Sequence, residues 1–161
     1  MYTHKIIRFN YTTYDMRRDQ DIVNPKTCHS NVMTLASEEM ESEEHPFLYC
    51  HVLGIFHVNV VYNGPGRTDY TPRRLDFLWV RWYDLLEPSA YRGKISPYQL
   101  DHLTFPPVTD EGAFGFLNPA DVLRSCHIIP AFALGRKFEG GEGLSCIAKD
   151  SKDWKSYYVS R

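Results

Sequence analysis

RRLDFLWVRWYD, Arg73 to Asp84, decides the fold class. The run holds Leu75, Phe77, Leu78, Trp79, Val80, Trp82 and Tyr83 without a glycine or proline. Aromatic and β-branched residues at this density fit a strand. Side chains alternate along a strand, so Leu75, Phe77, Trp79, Arg81 and Tyr83 point one way and Asp76, Leu78, Val80, Trp82 and Asp84 the other. Both faces carry large rings, so something packs on each side. A small barrel meets that demand when its outer face is covered by loops or by a partner. Leu78, Val80 and Trp82 form the more apolar set and are expected to face the interior, with Arg81 on the opposite side.

The flanking sequence extends the β reading. Phe47 to Tyr62, FLYCHVLGIFHVNVVY, is a second strand region whose Gly54 marks a candidate bulge. NGPG at 63–66 is a turn signal, so 47–62 and 73–84 are expected to pair antiparallel. KIIRFNYTTY from Lys5 is β-prone, and MRRDQDIVNPK after it reads as a polar connection. Val32 to Leu35 is a short strand or turn. SEEMESEE begins an acidic loop at 37–45. LDHLTFPPV reads as a short strand stopped by Pro106 and Pro107. Asn118 before Pro119 has the form of an N-cap with proline at the first helical position; a helical turn at 119–124 then leads into a strand, Cys126 to Ile129. GRKFEGGEG, 135–143, reads as a flexible loop, and DWKSYYVS, 153–160, as a final strand. Helix-period stretches are nearly absent. The expectation is one all-β domain with minor α content over 1–161, a small SH3-like or BAH-like barrel with long loops.

Composition narrows the function classes. The chain has 161 residues, 43% hydrophobic and 14% aromatic, with a net charge of −2. The basic excess usual in a nucleic-acid binder is missing. No stretch of about 18 apolar residues is present to span a membrane, and MYTHKIIRFN lacks the apolar run of a signal peptide. Four cysteines without a secretory signal are expected to stay reduced, in the nucleus or cytoplasm.

The order of these elements resembles known families. A strand ending in VRWYD (80–84), a variable loop, then PADVLRSCHII (119–129) is similar to bromo-adjacent homology (BAH) domains, whose opening strand LYCHVLGIFHVNV also resembles. A longer resemblance is to fungal proteins associated with Plavaka and Kyakuja-Dileera-Zisupton (CACTA-like) transposable elements. It is carried by NYTTYDMRRDQDIVNP (10–25), GIFHVNVVYNGPG (54–66), PRRLDFLWVRWYD (72–84), FGFLNPADVLRSCHIIPAF (114–132) and DSKDWKSYYVSR (150–161). The family pattern continues past the final Tyr-Tyr-Val, which implies a truncated or decayed copy. The resemblance transfers no catalytic residue, and the metal-binding carboxylates of a transposase core have no counterpart here.

Side-chain chemistry points the same way. Cys28, Cys50 and Cys126 each precede a histidine, but adjacent strand residues face opposite sides, and no CxxC or HxxxH spacing supports zinc. His51, His57 and Asn59 lack an acidic partner on their strand. Cys146 lies in a glycine-rich loop without phosphate-loop spacing, and no serine sits in a nucleophile elbow. Neither a metal, a cofactor nor a catalytic residue is assigned. Tyr62, Trp79, Trp82 and Tyr83 are the candidates for an aromatic cage of the kind that holds methylated lysine by cation–π attraction. Arg73, Arg74 and Arg81 are the candidate nucleic-acid contacts; three arginines around a strand otherwise form a solvated face.

These observations favour a non-catalytic interaction module of a transposon-derived protein, with a protein partner or histone tail as ligand. One alternative is a DNA-contacting accessory domain of a transposase. Another is a decayed fragment, for which an unpaired strand at Tyr157 to Ser160 would speak. DNA is expected to bind only weakly, or through a neighbouring domain.

Overall fold

The computed structural model describes residues 1–36, 45–66, 70–86 and 100–160. Apart from His45, the expected acidic loop lies outside them. The strands are β1 (Tyr2–His4), β2 (Ile7–Thr12), β3 (Arg18–Val23), β4 (Asn31–Leu35), β5 (Phe47–Val60) and β6 (Arg73–Trp82), followed by β7 (Asp84–Leu85), β8 (Asp101–Thr104), β9 (Phe114–Leu117), β10 (Val122–Ser125), β11 (His127–Pro130) and β12 (Tyr157–Ser160). Among the described residues the only helical segments are short 3₁₀ turns. At the first of them, Pro119–Asp121, the Asn118 side chain accepts a hydrogen bond from the Ala120 amide, as the N-cap reading requires. The turn is shorter than expected because β10 begins at Val122.

The all-β class holds. The sheets, however, do not close into a barrel. A six-stranded sheet runs β10-β4-β5-β6-β9 with β1 also on β5, a four-stranded sheet runs β11-β12-β8-β7, and β2 and β3 form a separate hairpin. The chain passes from the first sheet to the second at Tyr83, between β6 and β7, and again at Cys126, between β10 and β11. Each switch ends a ladder, so corners replace closure. β5 and β6 pair antiparallel as expected, with a register shift between Val52 and Gly54 where the bulge was read. β3 corrects the polar connection: RDQDIV is a strand because β2 pairs with it along its whole length. β12 is paired on both sides, to β11 and β8.

Two cores explain why the decisive strands are apolar on both faces. The first lies between the six-stranded sheet and the hairpin, and includes Phe9, Val23, Val32, Val52, Ile55, Leu78, Val80 and Leu117. The second lies between the two larger sheets, around Met33, Tyr49, Tyr83, Leu103, Phe105, Tyr157 and Val159. Alternation delivers Val32 and Met33, or Cys50 and Tyr49, to opposite cores. Leu78 and Val80 are fully buried, as expected. Trp82 shares their face but is only half-buried at the margin. Its ring lies over Gly115, where an added Cβ would come within 2.7 Å of the indole nitrogen.

Arg81 corrects the expected solvated face. It is 1% exposed. Its Nη1 and Nη2 donate to the two Asp153 carboxylate oxygens at 3.1 and 2.7 Å, and its guanidinium lies 3.8 Å from the Phe105 ring centroid. Burial raises the Asp153 carboxyl, and the Arg81 guanidinium opposes that rise. Asp153 belongs to the long connection between β11 and β12. That segment, part of which read as a flexible loop, is organised by a second buried carboxylate. Asp150 accepts hydrogen bonds from the Leu144 and Ser145 amides at 2.7 and 2.9 Å.

The alternation of β6 yields a stability prediction. Leu78→Ala, in the first core, should cost about 2–5 kcal/mol. Leu75→Ala, at a residue 53% exposed, should stay within about 0.5 kcal/mol of the parent. Urea denaturation midpoints measure both; equal costs would contradict the facing assigned to this strand.

Candidate functional site

The second sheet covers only one end of the outward face of β6. Arg81 and Tyr83 enter the second core, while Leu75, Phe77 and Trp79 lie beyond its reach. Register brings rings from the neighbouring strands to the same place. Phe56 of β5 is opposite Phe77, and Phe116 and Phe114 of β9 are opposite Trp79 and Arg81. Phe56 and Phe77 stack at 5.5 Å between centroids, Phe116 meets Phe77 edge-on at 5.5 Å, and Trp79 tilts against Phe114 at 6.3 Å. Gly54 completes the surface by what it lacks. A Cβ there would come within 2.5 Å of the Phe56 ring, which lies across it. Phe116 is 75% exposed, and Phe56, Phe77, Trp79 and Phe114 are each half-buried. The result is a contiguous aromatic sheet face open to solvent at its margin.

The four expected cage residues do not converge. Trp79 alone belongs to this face. Trp82 points to the opposite side of the strand, and Tyr83 is buried in the second core, stacked on Phe105 at 4.0 Å. Tyr62 lies in the connection after β5, its ring folded over Gly64. Alternation separates 79 and 83 from 82, which the inventory of rings ignored. Phe56, Phe77, Phe114 and Phe116 were missed as a group. The signal was present in FGF at 114–116, whose two phenylalanines share a face once that run is a strand.

The arginines are likewise dispersed. Arg81 is buried against Asp153 and withdrawn from any phosphate. Arg74 donates to Asp76 through Nη2 at 2.6 Å, and its guanidinium holds the Asp76 carboxyl low. Arg73 is exposed at the start of β6 and points to the side opposite Arg74.

The histidines and cysteines form no common centre. The bulge at Gly54 puts His51 and His57 on opposite faces of β5. His57 contacts His4 at 2.6 Å. His51 lies between Ser30 Oγ at 3.2 Å and Asn31 Oδ1 at 2.8 Å, and Asn31 also accepts from the Tyr83 hydroxyl. Ser30 is 2% exposed, so this serine–histidine contact sits inside the protein. Cys50 and Cys126 are buried, Cys28 and Cys146 exposed, and all four are free thiols. Burial pushes the Cys126 thiol up to about 12. Among the described residues no three His, Cys, Asp or Glu side chains gather where they could hold a metal. Nor is any helix there long and apolar enough to cross a membrane.

No family model, curated protein or solved structure matches this chain.

His51 makes stability pH-dependent. Burial, with smaller contributions from Lys149 and Arg81, lowers it from 6.5 to about 4. Between those values the unfolded chain takes up a proton that the native fold refuses. Its contribution is therefore complete above pH 6.5 and is lost as pH falls toward 4. The loss should be about 3 kcal/mol. Urea titrations at both ends of the window, on the parent and on His51→Gln, isolate it; an identical pH slope in the two proteins would contradict the assignment.

Proposed function

We propose that this chain is a non-catalytic interaction module, and that the outer aromatic face of β5, β6 and β9 receives a protein segment. The observation that carries this reading is Phe116, 75% exposed and held by Phe77 and its strand register rather than by burial. Leaving such a ring in water forgoes the free energy of covering it, on the order of 1.5–3 kcal/mol for a fully buried large apolar side chain. Aromatic residues are enriched at binding hot spots for that reason. The face offers no nucleophile or acid–base pair among the rings named, and its π surfaces suit apolar or cationic side chains, methylated lysine included.

The resemblance to transposon-associated fungal proteins supports placing the module in such a protein, acting in the nucleus or cytoplasm on a histone tail or another protein partner. The double pairing of β12, with Val159 1% exposed, supports a folded module over a decayed remnant.

The test is selection of peptides from a displayed library on the immobilised chain, with methylated histone-tail peptides included. Selected peptides should lose at least about tenfold in affinity with Phe116→Ser, equivalent to about 1.4 kcal/mol, while the thermal midpoint changes little. Peptides that bind the Phe116→Ser and Leu75→Ser proteins as tightly as the parent would contradict the proposal.

A further inference from the structure

The β2–β3 hairpin presents a second surface, on the other side of the six-stranded sheet from the aromatic face. Its inward residues, Ile7, Phe9 and Val23, join the first core. Register fixes what faces outward: Arg8 opposite Ile22, Asn10 opposite Gln20 and Thr12 opposite Arg18. All of these are exposed. Gln20 Nε2 donates to Asn10 Oδ1 at 2.8 Å. That bond links the two amides side by side and leaves the Asn10 amide nitrogen and the Gln20 carbonyl oxygen as an adjacent donor and acceptor. A shallow depression lined by Asn10, Tyr11, Thr12 and Arg18 opens beside them.

Charge is sorted between the two sides of the ribbon. By register Asp19 and Asp21 lie on the inward side; Asp21 is half-buried and accepts from the Ser125 amide at 2.8 Å, while Asp19, itself exposed, accepts from the Tyr11 hydroxyl at 3.2 Å. At the tip, Arg17 pairs with Asp15 at 3.0 Å. Arg8 and Arg18 have no carboxylate partner among the described residues. The outward face is therefore cationic within a chain whose net charge is −2.

We infer that this outward ribbon face binds duplex DNA, with Arg8 and Arg18 on the backbone or guanine edges and the Asn10–Gln20 pair turned to the bases. The major groove of B-form DNA, about 12 Å wide, admits a two-stranded ribbon, and arginine with guanine and asparagine or glutamine with adenine are its usual pairings. The strands of the ribbon are 6 residues each, about 20 Å at roughly 3.3 Å per residue. A-form RNA, with its deep and narrow major groove, does not admit such a ribbon. Two cations support binding in the usual non-specific range of about 10⁻⁴–10⁻⁶ M at physiological salt, in line with the weak contact expected from the overall charge.

The experiment is fluorescence anisotropy of the whole chain with a labelled mixed-sequence DNA duplex over a series of salt concentrations. Binding should strengthen steeply as salt falls. Arg8→Gln and Arg18→Gln should each weaken it and reduce the salt slope by about one, with unchanged thermal midpoints because both side chains are exposed. Arg73→Gln and Phe116→Ser should leave it unaltered. The inference is overturned if no salt-dependent binding is seen at low salt, or if the two hairpin variants bind like the parent. It is also overturned if an RNA duplex or a polyglutamate peptide binds as tightly as the DNA.

Discussion

Arg81 and Asp153 meet between the two larger sheets, and most of the architecture follows from that contact. A guanidinium with 1% exposure has given up its water, and its charge must be met inside the protein. The bidentate carboxylate of Asp153 does so, while Phe105 takes the flat face of the ion. Set against a well-packed apolar pair, such a bridge adds little net stability. What it adds here is position. Asp153 lies just before β12, so the bridge ties the irregular segment after β11 to the end of β6 and holds the four-stranded sheet over one end of the six-stranded one. Tyr83, Asn31, His51 and Ser30 continue the polar seam from there, each satisfied by a neighbour.

The same placement shapes the surface. Because the second sheet is anchored at the Arg81 end of β6, among the described residues it leaves the rings at the other end partly exposed. On the opposite side of that sheet the hairpin spends its apolar residues on the first core and turns arginines and amides outward. One sheet thus separates an aromatic face from a cationic one, and the two suit different partners. A module that holds a protein segment on one side and touches DNA on the other, as proposed above, would tether the two.

Much of the fold was legible in the sequence where local pattern decides. The density of rings in 73–84, the NGPG turn, the glycine bulge and the Asn118 cap each read correctly, because strand propensity, turn chemistry and capping act over a few residues. What was illegible depends on partners distant in sequence. RDQDIV looks like a connection until β2 supplies its ladder. Arg81 looks like a surface cation until Asp153, far along the chain, arrives beside it. Barrel closure failed for the same reason: nothing in the local pattern at Tyr83 or Cys126 announces a change of sheet. An inventory of rings alone pools them without regard to side. Only Trp79 of that group belongs to the face that Phe56, Phe77, Phe114 and Phe116 complete.

A double-mutant cycle on the buried bridge tests the account most directly. Arg81→Met strands a buried carboxylate, and Asp153→Leu strands a buried guanidinium, so each alone should cost about 3–5 kcal/mol in urea denaturation. Joined in one chain, the two substitutions should cost less than either single change, since no unpaired charge remains. Singles that each cost under about 1 kcal/mol, with a double equal to their sum, would mean that the two groups do not meet in the interior and that something else sets the sheets against each other.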